Sequence, residues 1–240
     1  MPIDLAAADL VKQLDRVGVR PPEKLVQQIL RSGDAARGPL LELAVRTDLL
    51  HEEAPTCFGP LHALRLLGEL PSVGMIAPLL AQYPVELQYQ NEVAPQMWAE
   101  EAPQMIGRIG REAVEPLWEI VDDTGRPVQM RGVALQALAY AATLDPSLRD
   151  ATVAGMRERL GGDDRGLNAV LIHNLGFLGV SDIYADVMAL FRGGKVETEI
   201  VHAATARQLL LTPDENRLAC VRHPLWERYD QHGPAPSPDR

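Results

Sequence analysis

The stretch APQMIGRIGREAVEPLWEIVDD, Ala102 to Asp123, holds one complete helix-turn-helix unit. Met105, Ile106 and Ile109 recur at spacings of one, three and four, the signature of one face of a helix. Gly107 lies inside that helix, where glycine costs on the order of 1 kcal/mol against alanine, so close approach of a neighbouring helix is the expected return. Gly110 then closes the helix, as a residue that tolerates positive φ should. After a short link, Val114, Leu117 and Val121 form a second stripe, with Pro116 near the start where a missing N–H is tolerated. The spacing predicts two short antiparallel helices.

Composition agrees with a helical chain. Of 240 residues 46% are hydrophobic, enough for a sizeable core, yet only 5% are aromatic and no run of β-branched residues reads as a strand. The formal net charge is −10, from 23 Lys and Arg against 33 Asp and Glu, and no basic patch is segregated, so a phosphate backbone is repelled and no nucleic acid is expected as partner. The opening MPIDLAAADLVKQLDRVGV carries Asp4 and no uninterrupted apolar run. The expectation is a cytoplasmic protein without signal peptide or membrane anchor. Cys57 and Cys220 are expected to be thiols of a reducing compartment.

Outward from the opening stretch the helical pattern repeats. Ile3 to Val17 predicts a first helix, and Pro21 and Pro22 open a second with Leu25, Ile29 and Leu30 on its face. Ser32-Gly33-Asp34 turns into a helix whose core residues are Leu40, Leu41, Ala44 and Val45, and HEEAPTCFGP, His51 to Pro60, is a connector. Leu61, Leu64 and Leu67, then Ile76, Leu79 and Leu80, form the next pair, followed by the polar loop PVELQYQNEV. Beyond Asp123 come GVALQALAYAATL, broken at Asp145-Pro146, then LNAVLIHNLGFLGVSDIYADVMALF and TEIVHAATARQLL. LGFLG, Leu175 to Gly179, matches IGRIG, Ile106 to Gly110, in class at every position except Phe177 against Arg108.

Prolines expected near the starts of second helices stand at Pro39, Pro78 and Pro116. Their spacing is near the repeat of two-helix arrays, roughly 40 to 47 residues for HEAT and armadillo units and 34 for tetratricopeptide units. With the segments Met105–Gly110 and Asn174–Gly179, these residues make the chain resemble the HEAT-like helical-repeat family from about Pro21 to Leu211. The tetratricopeptide pattern is not visible. The resemblance implies an all-α, right-handed α-solenoid of about five antiparallel helix pairs, HEAT-like or armadillo-like. The expected organisation is one repeat domain over 1–211 and a C-terminal extension over 212–240, disordered from about Gly233.

The candidate chemistry is sparse. Six histidines, His51, His62, His173, His202, His223 and His232, show no metal-ligand pairing, and Cys220 with His223 has nothing nearby to complete a site. Gly161-Gly162-Asp163-Asp164 and Gly193-Gly194 read as turns, since neither leads into a phosphate-loop lysine. No serine elbow is present, so no cofactor, metal or catalytic residue is expected.

Trp118, two residues after Pro116 as Leu41 and Leu80 are after Pro39 and Pro78, is expected in the core. Trp98 sits in QNEVAPQMWAEEAP, a stretch longer than the repeat needs, where a surface role and core packing are both open, and Trp98 and Tyr89 are candidates for partner binding. Acidic doublets such as Glu100-Glu101 and Asp163-Asp164 read as solvated positions or helix-end residues. Glu119 and Asp122 on a second helix would offer an acidic surface to a basic partner.

The function expected is a non-catalytic scaffold or adaptor that binds a protein on its concave face, with a homodimer through an exposed end as a further possibility. The alternative is a HEAT-like enzyme or small-molecule or nucleic-acid binder, for example of the DNA-glycosylase kind, which the net charge of −10 disfavours.

Overall fold

The computed structural model describes residues 5–84, 93–212, 214 and 216–231, and every regular element among them is helical. Tyr89, the loop around it and the segment from Gly233 lie outside the described residues. The chain divides into two compact units: Met1–Ile106 with His223–Arg240, and Gly107–Arg222.

The first unit contains α1 (Leu5–Val11), α2 (Glu23–Arg31), α3 (Asp34–Ala44), α4 (Gly59–Leu67), α5 (Ile76–Ala81), α6 (Val93–Gly107) up to Ile106, and α13 (Leu225–Asp230). Helix α4 is its centre: all nine residues are buried, and it packs against α3. An all-round apolar helix belongs in an interior. His62 and Arg65 are the exceptions on α4, and each must find partners there. The first helix expected over Ile3 to Val17 is shorter, tightening into a 3-10 turn over Lys12–Arg16. Pro39 lies well inside α3 and not near its start.

The second unit contains α7 (Val114–Asp122), α8 (Val128–Leu144), α9 (Arg149–Arg159), α10 (Arg165–Phe177), α11 (Tyr184–Arg192) and α12 (Ala203–Leu211). Helix α8 packs against α7, α9 and α10, and α10 against α12. Small residues allow these approaches: Ala134, Ala137, Ala139, Ala141 and Ala142 of α8 are all buried. A Cβ on Gly107 would stand 2.6 Å from Tyr140 Cβ, and one on Gly176 2.8 Å from Leu209 Cβ. Gly110 and Gly179 follow three residues later with φ of 74° and 71°. IGRIG and LGFLG thus use their glycines in the same way, the first for contact and the second for the turn.

One expectation changes. The helix expected from Ala102 begins at Val93, so Ala102 lies in its middle and Trp98 on it. The C-terminal extension contributes α13 to the first unit, with Leu225, Arg228 and Tyr229 buried.

Candidate functional site

Helix α7 places Glu115, Glu119 and Asp122 at spacings of four and three, on one stripe, and all three are exposed. Trp118, expected in the core, is only half-buried. Its indole lies against α9, where a Cβ on Gly155 would stand 2.7 Å from Trp118 Cζ2, so only glycine leaves room for the ring. The Arg159 guanidinium covers the other part of the ring, 4.3 Å from its centroid, within reach of a cation–π attraction.

Arg159 is held in place from two sides. Its Nε and Nη2 donate to the two carboxylate oxygens of Asp122, each at 2.6 Å, and its Nη1 donates to the Gly155 carbonyl at 2.9 Å. This fork-to-fork pairing keeps the Asp122 carboxyl below the usual carboxylate range. Asp122 is therefore an ion-paired member of an Arg–Trp stack, and the Glu119 side chain is exposed beside it. Neither Gly155 nor Arg159 is near Trp118 in sequence, so nothing in the stretch around Trp118 announces the platform.

Trp98 does not offer a surface. It has no exposure, and its Nε1 donates to the Ala44 carbonyl at 2.9 Å. The partner-binding role expected of it fails because its indole is consumed in packing the first unit and its one polar group is satisfied. Tyr89 lies outside the described residues. Of the four expected partner-binding residues, the structure brings together only Glu119 and Asp122.

A second cluster, in the interior of the first unit, was not read from the sequence. Arg65 on α4 pairs with Glu101 on α6, Nη2 to Oε1 at 2.5 Å and Nε to Oε2 at 2.8 Å. Glu101 is 6% exposed, so it is not the solvated residue expected. Arg228 of α13 donates to Gln104 Oε1 at 2.9 Å and stands 3.9 Å from Glu101 Oε2.

Tyr229 lies beneath the Arg65 guanidinium, 4.6 Å from its ring centroid, and its hydroxyl is 3.1 Å from His62 Nδ1. His62 Nε2 is 2.9 Å from the Gly18 carbonyl, which can only accept, so the neutral ring carries its proton on Nε2 and its Nδ1 accepts a hydrogen bond from the Tyr229 hydroxyl. Burial, with Arg65 nearby, pushes the His62 imidazole down to about 4. The same burial pushes the Tyr229 phenol up. Both groups are neutral at pH 7 and enclosed, an arrangement that joins α4, α6 and α13 and gives no access to a substrate.

Among the described residues no three metal-ligating side chains come together, and no helix is long and apolar enough to cross a membrane. Neither Cys57 nor Cys220 forms a disulfide. No family model matches the chain, and neither a curated protein nor a solved structure does.

Proposed function

We propose that this protein is a non-catalytic interaction module of HEAT-like build, and that a protein partner docks on the face made by α7 and α9. The observation that supports this reading is the Trp118–Arg159–Asp122 stack: a half-buried Trp beneath a clamped Arg, outside any core. Tryptophan and arginine dominate the central anchors of interfaces, and side chains already fixed before binding lose little entropy on contact. Glu115 and Glu119 beside them favour a partner with basic groups around an apolar centre. The successive packing of α7, α8, α10 and α12 supports a solenoid arrangement for this unit.

The test is affinity capture from the native host with the wild-type chain, Trp118→Ala and Glu119→Lys, each first checked for an intact fold by circular dichroism. Trp118→Ala should weaken retention of the captured partner by about 30-fold or more, the effect of losing a central anchor of at least 2 kcal/mol. Glu119→Lys should mainly slow association. Identical capture by all three chains would remove the basis for placing the partner on this face.

A further inference from the structure

In the second unit, the ends of α8 and α10 and the start of α9 enclose a cleft of about 450 Å³. That volume is in the range of small-molecule sites. Its lining includes Thr143, Arg149, Phe177, Leu178, Leu218 and Arg222. The last turns of helices carry unsatisfied carbonyls and partial negative charge, which guanidinium groups cover well. Arg149 donates to the Leu178 carbonyl, and Arg222 donates to the Thr143 carbonyl at 2.7 Å. One nitrogen of each guanidinium is thereby pinned, and each group has further N–H donors.

The two guanidiniums of this cleft differ from the ion-paired ones of the same unit. Arg111, Arg126, Arg131, Arg157, Arg159 and Arg165 each have a carboxylate within ion-pairing distance. Among the described residues Arg149 and Arg222 have none, in a chain with ten more acidic than basic residues. The Asp214 carboxylate also lines the cleft, in an ion pair with neither guanidinium, and its Oδ1 accepts the Asn216 backbone N–H at 2.9 Å.

Phe177 is the one position at which LGFLG departs in residue class from IGRIG, which carries Arg108 there. Its half-buried ring meets His173 edge-on, with 4.3 Å between centroids, and lies 5.6 Å from the Arg217 guanidinium. The cleft therefore combines two carboxylate-free guanidiniums with an aromatic and aliphatic wall. We infer that it binds a small organic anion, an oxyanion held by Arg149 and Arg222 with an apolar body against Phe177 and Leu178. This site shares no residue with the Trp118–Arg159–Asp122 stack, so the two readings stand or fall separately.

The experiment titrates the full chain at low salt with phenyl phosphate, benzoate and neutral benzyl alcohol, read by calorimetry and by amide chemical shifts. At least one anion binds and benzyl alcohol does not, and the preferred anion distinguishes a phosphate from a carboxylate ligand. Arg149→Gln and Arg222→Gln each weaken binding by about tenfold or more, and Arg149→Lys by less than Arg149→Gln. Because Arg149 also closes the end of α10, the wild-type titration supplies a measurement that needs no variant: shifts concentrate on Thr143, Leu178 and Gly179. The inference is overturned by no binding of either anion up to about 10 mM, a weak-fragment range. Equal binding of benzyl alcohol, shifts centred elsewhere, or full affinity in the Arg149→Gln, Arg222→Gln double variant overturn it equally.

Discussion

Replacing Gly107 by alanine pits two effects of known sign against each other. In a helix interior alanine is favoured over glycine by roughly 1 kcal/mol. The added methyl, however, would stand 2.6 Å from Tyr140 Cβ and 3.0 Å from the Ala137 carbonyl oxygen, and the second of these belongs to helix backbone, which cannot turn away. Overpacking of this kind costs about 1 to 3 kcal/mol, so Gly107→Ala should lower stability on balance. Gly176→Ala, facing Leu209 Cβ at 2.8 Å, should do the same. Urea unfolding decides the sign, and a raised midpoint in either variant would show that propensity outweighs contact. The role of Gly107 was legible in the sequence because a glycine in mid-helix needs a reason. That of Trp118 was not: comparison with Leu41 and Leu80 placed it in the core, but its surroundings depend on Gly155 and Arg159, on a helix that only the fold brings near.

At the scale of elements, α4 and α13 show where local patterns stop being informative. Helix α4 was readable from Leu61, Leu64 and Leu67, yet the same apolar spacing cannot say that His62 and Arg65 are also enclosed, because their partners come from α6 and α13. Helix α13 itself has six residues, too few for a periodic signal. Its attachment nonetheless has a pH signature. The His62 imidazole falls from its ordinary value near 6.5 in an unfolded chain to about 4 in the folded one. Between those values the unfolded state binds the extra proton, so stability rises with pH there. The contribution is fully present above about 6.5 and is lost as pH falls towards 4, for a total of roughly 3 kcal/mol from the shift alone. Urea midpoints at pH 7.5 and 5.0 should therefore differ, and His62→Gln should flatten the difference. An undiminished pH slope in His62→Gln would assign it to other groups.

Across the whole molecule, charge was the property most directly available from sequence, and it carries a prediction opposite to the usual one for a protein rich in ion pairs. Most of the described pairs, such as Arg126 with Asp123 and Arg157 with Asp182, lie at the surface, where each contributes little and salt weakens it further. The buried Arg65–Glu101 pair is shielded from added ions. Against these small losses stands the self-repulsion of a chain with a net charge of −10, which salt relieves throughout. Raising NaCl from about 0.02 M to about 0.5 M shortens the screening distance from more than 20 Å to about 4 Å, enough to suppress long-range repulsion between carboxylates. The urea midpoint at pH 7.5 should thus hold or rise over that range, while the affinity of an anion for the Arg149 and Arg222 cleft falls. A marked drop in the midpoint would mean that the surface pairs contribute more to the folded state than the excess negative charge removes from it.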